Sequence, residues 1–162
     1  MDATAHAPTD PKRKLRIAMG VFDRIEALER ALDGLAKTGV ERSHLVIVAG
    51  DGRPDTLAGT ILRDGGWPAN RGIRVQGRHG TALKIDGASQ SAFAAPGLLS
   101  APFETWGTAR STEKLNAYLD RGACVLVALI DAIEHEREVI EVLLASSIDQ
   151  VQQHDVSSPT LV

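Results

Sequence analysis

An α+β fold is what this sequence predicts, and three observations predict it. A β-α-β pattern occurs twice, and its helix-start residues Asp23 and Glu26 in "DRIE" are matched by Asp131 and Glu134 in "DAIE", 108 positions on (131 − 23 and 134 − 26). Aliphatic runs of strand length precede both starts, "LRIAMGVF" at Leu15–Phe22 and "ACVLVALI" at Ala123–Ile130. The segment 51–122 between the halves has no counterpart in either. Two β-α-β halves in one small chain predict a ferredoxin-like split β-α-β sandwich. Its helices would cover one face of an antiparallel sheet ordered 4-1-3-2, with a long insertion between the halves. The layout expected is an N-terminal tail over 1–14, one domain over 15–156 (halves 15–50 and 123–156, insertion 51–122) and a short tail over 157–162.

In the first half, Asp23 is placed to accept from the unpaired N–H groups of the first helical turn, and Glu26 to answer three residues on, a capping box. Ile25, Leu28, Ala31, Leu32, Leu35 and Ala36 then recur at three- and four-residue spacing as one apolar stripe. Gly39 is the stop, since glycine tolerates positive φ, and "HLVIVAG" (44–50) is the second strand. The second half repeats the scheme, with Ile133, Val139, Ile140, Leu143 and Leu144 as helix stripe and the polar "DQVQQHDV" (149–156) as an edge strand. In the insertion, "DTLAGTILRD" predicts a short helix capped by Asp55, with Leu57, Ile61 and Leu62 on one side. "IRVQGRHGTALKI" predicts a hairpin around "GRHG". "STEKLNAYLDRG" predicts a helix capped by Ser111 and stopped by Gly122, with Leu115, Tyr118 and Leu119 apolar.

The first three strands of the halves are apolar at nearly every position. An antiparallel sheet with one wet face should alternate. Both sheet faces are therefore expected to be covered, one by the helices and the other by the insertion or by a second subunit, which makes a homodimer the expected assembly.

Composition narrows the function classes. A formal charge of −3 argues against a dedicated nucleic-acid binder. The single cysteine, Cys124, sits in the apolar run "ACVLVALI", which excludes an intrachain disulfide and reads as a small buried hydrophobe in a reducing compartment. The polar start "MDATAHAPTDPKRK" lacks the apolar centre of a secretory signal, and no apolar run approaches the ~20 residues of a bilayer span. A cytoplasmic protein without membrane contact is expected.

Residues able to carry chemistry are sparse. His135 in "EHERE" and His154 in "QHD" lie beside carboxylates, but the five histidines follow no metal-ligand spacing, and no metal or other cofactor is expected. No Ser lies in a G-x-S-x-G elbow, and a mid-strand thiol is not activated, so no catalytic residue is assigned. The Gly-rich pieces after strand two are more informative. From Asp51 to Lys84 there are six Lys/Arg and three Asp/Glu, a local +3 against −6 elsewhere (−3 minus +3). Glycine-turn N–H groups and arginine forks can hold an anion, which makes Arg53, Arg71, Arg74, Arg78 and His79 the candidate anion-binding set. Neither a Walker loop nor a dinucleotide fingerprint accompanies them. Trp67, Phe103 and Trp106 are packing candidates, as aromatics that anchor a loop on a sheet or fill an interface.

The order of an aliphatic strand, "FD", an Ala/Leu helix ending in "GV" and a second apolar strand, followed by a second half with a strand, an acid-headed helix and a short closing strand, resembles the bacterial general-stress-protein-like (heat-induced stress protein) domain. The resemblance runs over Ile17–Val48 and Val125–Val156. Where such domains carry a Gly-rich apolar helical stretch between the halves, this chain has a longer mixed insertion. The resemblance implies a non-enzymatic, stress-linked or regulatory role and brings no catalytic residues. The leading expectation is therefore a regulatory protein acting through self-association and contacts with a protein partner. The alternatives are a sensor of a small anionic ligand or nucleotide held by the insertion, and an enzyme built on an open sheet face.

Overall fold

A computed structural model describes residues 14–50, 53–63, 73–78, 82–84, 109–130, 133–148 and 151–157. The elements are β1 (Lys14–Phe22), α1 (Ile25–Lys37), a 3-10 turn (Arg42–His44), β2 (Leu45–Ala49), α2 (Leu57–Leu62), β3 (Arg74–Gln76), β4 (Ala82–Lys84), α3 (Ala109–Asp120), β5 (Cys124–Ile130), α4 (Ile133–Ser146) and β6 (Gln152–Ser157). The repeat is visible in the helices, since α1 begins at Ile25 and α4 at Ile133, again 108 apart (133 − 25).

The strands form one sheet in the order β4-β3-β2-β5-β1-β6. Within it, the strands of the two halves lie as β2-β5-β1-β6, every neighbouring pair antiparallel. The polar β6 pairs only with β1 and ends the sheet, as expected of an edge. The rest of the sheet departs from expectation. β3 runs parallel to β2, with Ile47 opposite Val75, and β4 returns antiparallel beside it with a register shift at Val75/Gln76. The sheet is thus mixed rather than antiparallel, because the insertion extends it instead of standing apart. Parallel neighbours need a crossover of a dozen or more residues, and the stretch containing α2 supplies one between Ala49 and Arg74. The "GRHG" hairpin is present as β3–β4.

Both faces of the central strands β1, β2 and β5 are buried within one chain. Strand residues alternate between them, as the two-residue period requires. Ala18, Phe22, Leu45, Ile47, Leu126 and Ala128 join Leu28, Ala31, Leu32 and Leu35 of α1, Ile61 of α2 and Val139 and Leu143 of α4 in one cluster. Ile17, Met19, Val21, Val46, Val48, Val125, Val127 and Leu129 point the other way and join Leu115 and Leu119 of α3 in a second. The continuous apolar strands are explained by this double cover, and the insertion helix α3 supplies part of it. The apolar character of these strands is therefore accounted for within one chain, without a second subunit.

Helix ends show where local reading succeeds and fails. α1 stops as expected: Gly39 has φ +93°, its N–H donates to the Ala36 carbonyl, and that of Val40 to the Leu35 carbonyl. That is a Schellman closure. α3 ends in the same way at Gly122, φ +91°, with Gly122 donating to Leu119 and Ala123 to Tyr118. The starts differ. α1 is capped at Arg24 with no side-chain bond, leaving Asp23 exposed one position too early for the expected box. α2 takes Thr56 rather than Asp55 as its cap, its hydroxyl accepting from the Gly59 N–H at 3.1 Å. α3 starts at Ala109, so Ser111 lies inside its first turn, and Lys14 belongs to β1 rather than to a tail. Asp131 lies outside the described residues. On α4, Leu144 is 54% exposed, because the turn that faces the sheet brings in Val139 and Leu143, and Leu144 is rotated off it by about 100°.

Candidate functional site

The expected anion site lies along β3, on the α3 side of the sheet, and at the C-terminal end of α3. β3 alternates Ile73 and Val75, which join the α1-side core, with Arg74 and Gln76. Arg74 stands opposite Val46 and Gln76 opposite Val48 in the parallel register, and both valines belong to the α3-side cluster. Gln76 is fully buried at 0% exposure. Arg74 is half-buried, and its desolvation lowers the guanidinium pKa from the ordinary value.

Arg78 continues this polar line towards α3. Its Nη1 donates to the Asn116 Oδ1 at 2.7 Å and its Nη2 to the Asp120 Oδ1 at 2.9 Å. Asn116 and Asp120 are four residues apart, one helical turn, so a single fork grips two successive turns. Arg53, on the crossover after β2, donates to the main-chain carbonyl of Asp120. A helix leaves its last carbonyls unpaired and its C-terminus partly negative, so a guanidinium there supplies both a donor and a favourable charge. The seat is close-fitting. A Cβ at Gly50 would lie 2.8 Å from the Leu119 carbonyl oxygen and 2.9 Å from Arg78 Nη2. The Gly122 carbonyl accepts from the Ala58 N–H at 3.0 Å, tying the α3–β5 turn to α2.

The structure thus brings Arg53 and Arg78 together on one partner, and that partner is part of the chain. Both arginines hold the insertion helix in place. Arg74 shares their side of the sheet, while Arg71, His79, Trp67, Phe103 and Trp106 lie outside the described residues. Sequence reading missed Asn116 and Asp120, which matter as much as the arginines. A signal for them existed in "LNAYLD", where Asn and Asp recur at i, i+4 beside the Leu115/Leu119 stripe.

This arginine clasp contributes modestly to stability. The Arg78 side chain is 23% exposed and that of Asp120 67%, and pairs this wet contribute about 0.2–1 kcal/mol. Burial of Leu115 and Leu119, at roughly 1.5–3 kcal/mol each, stabilises the docked helix more. The arginine fork acts chiefly by fixing orientation.

Other chemistry-bearing groups are quiet. Cys124 is buried and unbridged, and desolvation pushes its thiol up to about 12. Glu136 forms an ion pair with Arg16 at 2.5 Å, whereas Arg137 and Glu141 stay exposed. Among the described residues no three His, Cys, Asp or Glu side chains gather as a metal site would require, and no helix is long and apolar enough to cross a membrane. No protein-family model, curated protein or solved structure matches this chain.

Proposed function

We propose that this chain is a ferredoxin-like split β-α-β domain with a regulatory, stress-linked role, acting through self-association and protein contacts rather than through a reaction. The observation that carries the reading is the convergence of Arg53 and Arg78 on α3. These guanidiniums meet acceptors on α3 itself, tying the crossover and the end of β3 to that helix. The outer side of that helix, with Arg110, Glu113, Lys114, Asp120 and Arg121 exposed, alternates charge along α3. Charge of mixed sign on a rigid helix suits steering and register of a protein partner. The strand order of the two halves supports the fold-type part of the proposal, and the resemblance over Ile17–Val48 supports the stress-linked part.

A second reading, a sensor of a small anion, has its own support in Arg74 and the fully buried Gln76 on β3. Native mass spectrometry on gently purified protein, together with a thermal-shift panel of phosphate compounds, separates the two. The partner reading expects a homodimer with no added mass and no shift. A defined adduct, or stabilisation that disappears in Arg74→Ala, would replace it with the sensor reading.

A further inference from the structure

We propose that the outward face of α3 is a docking surface for an acidic helix of a partner protein. The proposal rests on the partner-binding reading and names the partner's chemistry. Along α3 the charges alternate in sign, but around the helix axis they separate. At about 100° per residue, Arg110, Lys114 and Ala117 fall on one line, at i, i+4 and i+7, and Arg121 in the closing turn continues it at i+11. All four are exposed, and the line lies opposite Leu115 and Leu119, which pack into the core.

The acidic residues Glu113 and Asp120 form a separate line on one flank. Asp120 is engaged there by Arg78 at 2.9 Å, which offsets its charge. On the other flank the Arg121 guanidinium stands 5.9 Å from the centroid of the Tyr118 ring, within the range of a cation–π contact. The outward line is thus cationic, on a chain whose formal charge is −3. At about 1.5 Å per residue it covers about 16 Å.

Spacing, charge and relief together select the occupant. A partner helix with carboxylates at i, i+4 and i+11 matches the three cations. Ala117 has the smallest side chain of the line and leaves room for an apolar residue at the partner's i+7, beside Tyr118. Nucleic acid fits less well. A duplex carries a charge about every 1.7 Å of its axis, and a continuous anionic backbone would also meet Glu113.

Amide NMR titration of the full chain with a synthetic helical peptide tests this. The probe carries glutamates at i, i+4 and i+11 and a leucine at i+7, and its control carries glutamines in place of the glutamates. At about 50 mM salt the acidic probe should shift the amides of α3 and leave those of α1 and α4 unmoved, and raising salt to about 0.5 M should weaken binding about tenfold. The double variant Arg110→Glu/Arg121→Glu should weaken it by about tenfold or more. Arg30→Glu/Arg137→Glu makes the same change in net charge at exposed positions on α1 and α4 and should change binding by less than about twofold. No shift on α3 at millimolar probe, equal binding of the glutamine control, or equal weakening by the two double variants would overturn the proposal. So would tighter binding of a single-stranded oligonucleotide than of the acidic probe, which would make the ridge a nucleic-acid surface. Each of these results is separable from failure of the self-association reading, which native mass measurement reports independently.

Discussion

Gly122 is the residue on which most local geometry depends. Its φ of +91° lies in the region that side-chain-bearing residues rarely adopt. A Cβ there would stand 2.2 Å from Thr56 Cγ2. Gly122→Ala should therefore destabilise the fold by about 2–4 kcal/mol, from backbone strain and from pushing Thr56 off its cap. Chemical denaturation should show it as a lower midpoint at unchanged slope; a loss under about 0.5 kcal/mol would mean that the joint yields more easily than its close contacts imply. Cys124 makes the opposite kind of prediction. The folded thiol titrates near 12 against an ordinary 9.0, so the unfolded state releases its proton first as pH rises. This group's contribution to stability is full below about pH 9 and declines towards about 12. At pH 8 a thiol reagent should label Cys124 only as fast as the sheet opens, and fast labelling of folded protein would contradict its burial.

At the scale of elements, each helix is best described by the face it buries. Leu119 is fully buried and Leu144, of the same residue type, is 54% exposed. Leu119→Ala should cost about 2–5 kcal/mol, whereas Leu144→Ala should change stability by no more than about 0.5 kcal/mol. Thermal unfolding of the two variants checks the assignment of faces, and equal losses would mean that α4 is rotated from the position described. The two Schellman closures are equivalent in role as well as in form. Each turns the chain back towards a central strand, α1 through Gly39 to the 3-10 turn before β2 and α3 through Gly122 directly to β5.

For the whole molecule, burial of both sheet faces within one chain changes what self-association can use. The strand residues Ile17, Val46 and Val127 are already covered within the chain, so they are not available to a second copy. Among the described residues, the surfaces left are the outer helical surfaces and the sheet ends at β4, where Leu83 is a large exposed apolar side chain, and β6. The dimer expected by native mass spectrometry should accordingly be a modest, partly polar association that weakens on dilution, unlike an obligate interface.

What the sequence by itself determined was whatever depends on local spacing. The 108-residue echo of helix starts, the apolar stripe Leu28–Leu35, the glycine stops at 39 and 122, the hairpin around "GRHG" and the covered second face were all legible, because periodicity and φ preference act over a few residues. Helix starts slipped by a residue or two, since Asp23, Arg24, Asp55 and Thr56 are competing caps and tertiary position chooses among them. Only the tertiary structure decided that β3 runs parallel to β2, so that the insertion widens the sheet. Only it decided that Arg53 and Arg78 both meet Asp120. Those outcomes join residues 42 and 67 positions apart. An arginine carries no mark of which acceptor it will meet; the crossover through α2 and the close seat at Gly50 bring that acceptor within reach.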